Sequence, residues 1–150
     1  MKTLIVCVSE NHGNTAKIAR ALGEVLDARI EEPEKVTDEM LHGFDLVGFG
    51  SGIFIGKHHK RILELSRRLS ENPLKAFIFS TSGWGKAGIS HKALRKNLEE
   101  HGFSVIGDFA CKGYDTYGPL KLVGGINKNR PNKQDLNDAR EFARSLLKRD

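Results

Sequence analysis

Apolar runs alternate with stretches of helical period along the whole chain. Residues 4–8 (Leu-Ile-Val-Cys-Val) are continuously apolar, as in a strand buried on both faces. Residues 45–50 and 76–80 read the same way, and 105–111 does so with polar interruptions. Residues 28–31 are short and charged, like a strand at a sheet edge. Between these lie helical patterns. Residues 14–27 place Ile18, Leu22, Val25 and Leu26 on one face. Residues 58–70 do so with Ile62, Leu65 and Leu69, and 91–101 with Leu94 and Leu98 before the stop at Gly102. Residues 135–148 align Leu136, Ala139, Ala143, Leu146 and Leu147, and 33–43 has room for a short helix. Strand and helix in alternation predict an α/β protein with a parallel sheet covered on both faces. Right-handed crossovers and five strands predict a single doubly wound five-stranded sheet in the order 2-1-3-4-5, one domain over residues 1–150.

Composition narrows the class. Of the 150 residues, 39% are hydrophobic and 29% charged, which supports a buried core and excludes a disordered chain. No apolar run reaches membrane-spanning length, and the first eight residues are too short and too soon polar for a signal peptide; a cytoplasmic protein without membrane partners is expected. Cys7 falls on a central strand and Cys111 on the far edge, so both are expected as buried thiols and not as a disulfide or a zinc site. The net charge of +5 permits anionic partners. It does not call for nucleic acid, and only 7% of residues are aromatic, few for a base-stacking surface.

In an open α/β sheet, ligands bind beyond the carboxyl ends of the strands. Residues 9–15, 51–57 and 81–88 occupy those ends, and 112–133 follows the last strand. The first of these, Ser9-Glu10-Asn11-His12-Gly13-Asn14-Thr15, joins a buried strand to a helix. It brings hydroxyls, amides and one glycine to a helix N-terminus, where free N–H groups and the helix dipole favour an anion. No Lys follows Gly13 and the first Walker glycine is missing, which excludes a Walker-type nucleoside triphosphate site. The bland reading is a turn capped by Asn14 or Thr15.

The chain resembles the flavodoxin family over nearly its whole length. Gly13-Asn14-Thr15 after a first apolar strand is similar to the flavodoxin phosphate loop. So are Gly50-Ser51-Gly52-Ile53-Phe54 after the third strand, Ser80-Thr81-Ser82-Gly83-Trp84 after the fourth, and Asp115-Thr116-Tyr117-Gly118-Pro119 followed by Gly124-Gly125-Ile126-Asn127-Lys128. The resemblance implies FMN as cofactor, electron transfer as function, and no catalytic side chain. It puts the phosphate on Ser9, Asn11, His12, Gly13, Asn14 and Thr15. It puts the flavin ring beside Ser51, Gly52, Ile53, Phe54 and Gly56, with Thr81, Ser82, Gly83, Trp84, Gly85 and Tyr117 completing the site and Trp84 as a lid. Two departures stand out: Asn11 and His12 replace hydroxyl residues common in the family, and this chain is basic where many flavodoxins are acidic.

Other patterns compete. Gly83-Trp84-Gly85-Lys86-Ala87-Gly88 is a formal G-x-G-x-x-G, but it follows the fourth strand where the dinucleotide fingerprint belongs in the first turn. His58-His59 invites a metal, yet neighbouring helical side chains diverge and no further ligands are near in sequence, so a solvated helix start is expected. Ser82 lacks the G-x-S-x-G elbow of a nucleophile. In the loop over 112–133, Lys112, Lys121, Lys128, Arg130 and Lys133 meet only Asp115, a basic rim suited to an acidic redox protein or to the phosphates of NADPH. The alternatives to an electron shuttle are an FMN-dependent oxidoreductase, such as a quinone reductase or a protoporphyrinogen oxidase-like enzyme, and a flavin-free binding module on the same fold.

Overall fold

The computed structural model describes residues 1–10, 12–116 and 118–149. Strands β1 (Thr3–Val8), β2 (Arg29–Glu31), β3 (Leu46–Phe54), β5 (Lys75–Ser82) and β6 (Ser104–Lys112) run parallel in the order β2-β1-β3-β5-β6. Counting these five parallel strands, that is the expected doubly wound order. The sixth strand, β4 (Lys57–His58), folds back antiparallel on the end of β3.

Helices α1 (Asn14–Leu26) and α5 (Lys133–Leu147) cover one face; α3 (Lys60–Arg68) and α4 (Ile89–Glu100) cover the other. The alternation along β1 shows why both faces are dry: Leu4, Val6 and Val8 join the core under α3 and α4, and Ile5 joins the core under α1 and α5. Two glycines of β3 have a steric purpose. A Cβ on Gly48 would come within 2.2 Å of the Phe77 ring, and one on Gly50 within 2.3 Å of the Phe79 ring. The phenyl groups of β5 fill the room that those side chains would need.

Several element boundaries differ from those expected. β3 does not end at Gly50 but continues through Ser51, Gly52, Ile53 and Phe54, then turns at Ile55 and Gly56 into β4. Both turn residues have positive φ, 49° and 74°, as a type I′ hairpin requires. Consequently His58 is not on a solvated helix start. It lies in β4 and is 3% exposed, while α3 begins at Lys60 with the His59 ring accepting from the Arg61 N–H. The short helix expected within 33–43 is a 3-10 turn (Pro33–Lys35) followed by α2 (Asp38–Leu41). At the other end, α5 starts two residues before Asp135, on a capping box in which Asn132 and Asp135 bond each other's backbone.

Candidate functional site

The carboxyl ends of β1, β3, β5 and β6 enclose two joined hollows. The inner one lies against the start of α1 and is lined by Asn14, Thr15, Gly52, Thr81 and Tyr114 among others. The outer one is a groove of about 640 Å³ between the β3–β4 hairpin and the segment leading into α4. Ile53, Phe54, Ser82 and Asp115 line both, so the two form one path from a helix N-terminus to an apolar mouth.

At the inner end, polar groups hold one another in place. Gly13 is the N-cap of α1, in the left-handed region at φ 70°, and supplies no side-chain cap. A Cβ there would meet nothing within 4 Å, so the approach to the helix start is open. Neither Asn14 nor Thr15 has an acceptor for its backbone N–H among the described residues. The Ser9 hydroxyl accepts from the Ala16 N–H at 3.0 Å, which consumes one helix donor and leaves the Ser9 proton free. Thr15 and Thr81 hydroxyls bond each other at 2.8 Å, and both residues are buried. Whichever donates, the other keeps a proton for a ligand. The Asn14 side chain donates to the Tyr114 carbonyl at 2.8 Å, while its Oδ1 is buried without a partner among the described residues. A carboxylate, Glu10, also reaches this hollow, but it accepts from the His59 Nε2–H at 3.1 Å and lies 4.0 Å from the Arg61 guanidinium, which opposes its charge.

The outer end is apolar and open. Phe54 stands edge-on to the His59 ring, 5.6 Å between centroids. Across the groove, Gly83 is gripped by the excursion that follows β6: Asn127 donates to the Gly83 carbonyl at 3.0 Å, and Asp115 pairs with Ile126 in an antiparallel bridge. Ser82 accepts from the Gly85 N–H at 2.8 Å and so shapes the turn that presents Trp84. The Trp84 side chain stands in solvent at 82% exposure.

These features fit a phosphorylated, hydroxylated, flat-ringed group. The inner hollow offers free N–H and O–H donors for an anion, and the orphaned Asn14 Oδ1 would accept from a ligand hydroxyl.

Solved structures with the same architecture are similar to it. Oxidised flavodoxin 2 of Bacillus cereus superposes with a TM-score of 0.71 at 17% identity, covering 100% of both chains. The Fusobacterium nucleatum flavodoxin bound to flavin mononucleotide superposes at 0.69 with 11% identity and 99% of each chain. An uncharacterized protein of Methanocaldococcus jannaschii is 48% identical over 149 residues, 99% of this chain and 99% of that protein. The family model of the flavodoxin domain matches residues 5–118. The chain belongs to the flavodoxin-domain family.

Within this flavodoxin domain the expected site residues separate into groups. Asn14, Thr15, Gly52, Ile53, Phe54, Gly56, Thr81, Ser82, Gly83 and Trp84 come together on the two hollows. Ser9 and Gly13 shape the start of α1 without lining either hollow. His12 turns aside: its ring stacks on Tyr114 at 3.9 Å and its Nε2 meets the Thr116 hydroxyl at 3.0 Å. Gly85 lies against Lys112, which leaves room for no Cβ. Asn11 and Tyr117 lie outside the described residues.

Ser51 is fully buried and serves the hairpin. Its Oγ accepts from the His59 N–H at 2.9 Å, donates to the Gly52 carbonyl at 2.7 Å, and lies 3.0 Å from His58 Nδ1. One hydroxyl proton cannot serve both acceptors, so with Ser51 donating to Gly52, His58 donates through Nδ1. His58 Nε2 is then a buried acceptor with no partner among the described residues, and the ring faces His91, 5.1 Å between centroids. Burial, and the neighbouring His91, push the His58 pKa down to about 3. His91 accepts from Ser80 at 2.6 Å and donates to Asp108 at 2.9 Å. That Ser-His-Asp order has the composition of a hydrolytic triad, but Ser80 is wholly buried inside β5, and no substrate can reach its oxygen.

Sequence reading missed Glu10, Gly113, Tyr114 and this histidine pair. Of these only His58-His59 carries a signal in the sequence, and a two-residue strand has no periodicity by which to place it. Both thiols are free as expected; Cys111 is buried and Cys7 half-buried, and desolvation pushes each up to about 12, so neither is a thiolate at neutral pH.

Proposed function

We propose that this domain binds FMN in the two joined hollows and carries electrons between other redox proteins. The observation that carries the reading is the continuity of an unfilled, donor-rich helix start with an apolar groove. The backbone N–H groups of Asn14 and Thr15 and the hydroxyls of the Thr15–Thr81 pair would hold the phosphate, at a helix start that Ser9 shapes through the Ala16 N–H. Neutral donors suffice because the helix dipole favours the anion and Arg61 offsets Glu10, whose carboxylate also takes the His59 Nε2–H. Asn14 Oδ1 would take a ribityl hydroxyl. Ile53, Phe54 and Trp84 would exclude water from the ring, and their low-dielectric surfaces disfavour added negative charge there. Bound FMN supplies the redox chemistry; no side chain of the groove is asked to act as nucleophile or general base.

Absorbance and fluorescence titration with FMN and with riboflavin tests the proposal. Stoichiometric FMN binding with riboflavin much weaker is expected. Equal affinity for the two overturns the phosphate assignment, and no binding of either overturns the cofactor. Steady NADPH oxidation with a quinone and no protein partner would favour the FMN-dependent oxidoreductase reading.

A further inference from the structure

The mouth of the outer groove combines two features that a fold does not need. The first is exposed apolar bulk. Ile55 and Ile89 are each 86% exposed and Trp84 82%, all on the groove. Leu122 (89%) and Val123 (75%) lie in the 3-10 turn Gly118–Val123, beyond the lining of the groove, so a ring bound there does not account for their exposure. That turn caps the excursion whose base is clipped to Gly83, which ties its apolar tip to the Trp84 side of the mouth. Ile55 costs the fold twice. It puts a β-branched side chain in water, and it holds that side chain at φ 49°, a region such residues avoid. Strain of that kind points to a role outside folding.

The second feature is uncompensated positive charge. Lys57 on the hairpin, Lys86 beside Trp84, Lys112 against Gly85, and Lys121 between Leu120 and Leu122 are all exposed. None makes an ion pair among the described residues. What sets these four apart is their place, on the hairpin, beside Trp84 and Gly85 and in the apolar 3-10 turn.

Resting on the flavin reading of the groove, we infer that this mouth docks an acidic electron-transfer protein, with Ile55, Trp84, Ile89, Leu122 and Val123 as its apolar centre and Lys57, Lys86, Lys112 and Lys121 as its rim. An apolar centre inside a charged rim is the anatomy of a transient protein interface. The sign of the rim selects the partner. A second copy of this chain, itself +5, is repelled, and an acidic surface is steered to the mouth. A single tryptophan at the mouth is too little for stacking along a nucleic acid strand.

The test uses a small acidic [2Fe–2S] ferredoxin and a second acidic redox protein of unrelated fold as probes, with basic cytochrome c as control. Each is titrated into isotopically labelled protein, FMN-loaded and ligand-free, at low and high salt. Amide shift changes concentrated at 53–57, 83–89 and 112–123 are expected with the acidic probes, with affinity lost as salt rises. A triple variant, Lys57→Gln, Lys112→Gln and Lys121→Gln, should bind them roughly tenfold more weakly. Its FMN affinity should be unchanged, since none of the three lines either hollow. Shifts on another face, absence of saturable binding by both acidic probes, a triple variant as tight as wild type, or cytochrome c binding equally well would each overturn the inference. So would preference for anionic vesicles, which would make the surface a membrane contact. If FMN fails to bind while the acidic probes still map to the mouth, the flavin reading falls and the docking surface stands.

Discussion

At the inner end of the groove, hydrogen bonds hold the polar side chains in place, Ser9 to Ala16, Thr15 to Thr81 and Asn14 to Tyr114, and leave donors aimed at the opening. At the outer end, large apolar side chains stand in water and one of them, Ile55, sits in a strained turn. Both ends are loops on the same sheet edge. They differ because their physical tasks differ. An anion must meet donors already aimed at it, since reorienting them on binding would cost the energy that recognition gains. A surface for transient contact needs desolvation and breadth instead, and tolerates exposed apolar groups as the cost of being available.

The largest expected effect concerns the buried histidines under the outer hairpin. His58 is held neutral by burial, with a pKa near 3, and burial also lowers His91 despite the Asp108 hydrogen bond and charge that oppose the shift. Unfolded, both rings would take a proton near their ordinary value. The stability that the neutral rings contribute is therefore complete above about 6.5 and falls as pH drops below it, for His58 down to about 3. For His58 the expected slope is roughly 1.4 kcal/mol per pH unit in that window, and His91 adds to it with the same sign. Thermal melts across it check the total. Hydrogen exchange should show the β3–β4 hairpin loosening before the start of α1. His58→Asn, which keeps a donor near Ser51, should flatten the curve; an unchanged curve would mean that His58 is not the group responsible.

Gly13→Val should come next. Valine at φ 70° is strained by about 1–3 kcal/mol and its side chain would fill the open approach to α1. FMN affinity is expected to drop about tenfold or more, with riboflavin affected far less, as calorimetry with both ligands would reveal. Equal losses would erase the distinction between the two ends.

Trp84→Ala should weaken FMN by about 0.5–1.5 kcal/mol through lost ring contact, and leave the melting temperature nearly unchanged because the side chain is exposed. A large loss of stability would show that Trp84 packs in the fold after all. The smallest effect is expected for Ile55→Gly. Relief of the left-handed strain, less the backbone entropy of glycine, should raise stability by up to about 1 kcal/mol. The same change should impair docking of the acidic probe. Stabilisation with undiminished docking would leave Ile55 without a role at the mouth.

The apolar runs of β1, β3, β5 and β6 and the faces of α1, α3 and α5 were legible in the sequence because burial on two faces or one imposes a period of its own. For the same reason residues 9–15, 51–57 and 81–88 could be assigned to one edge: in a parallel sheet all carboxyl ends lie together. The strand order followed from the handedness of crossovers, and the thiols from their places in that order. Tertiary structure decided the rest. His58 and His91 are 33 positions apart, and only the return of β4 over β3 and the packing of α4 bring their rings together. Thr15 and Thr81, Asn14 and Tyr114, Gly83 and Asn127 pair across 66, 100 and 44 positions. A hydrogen bond is short and directional, so its partner leaves no periodic trace in the chain, whereas a hydrophobic face is broad and repeats.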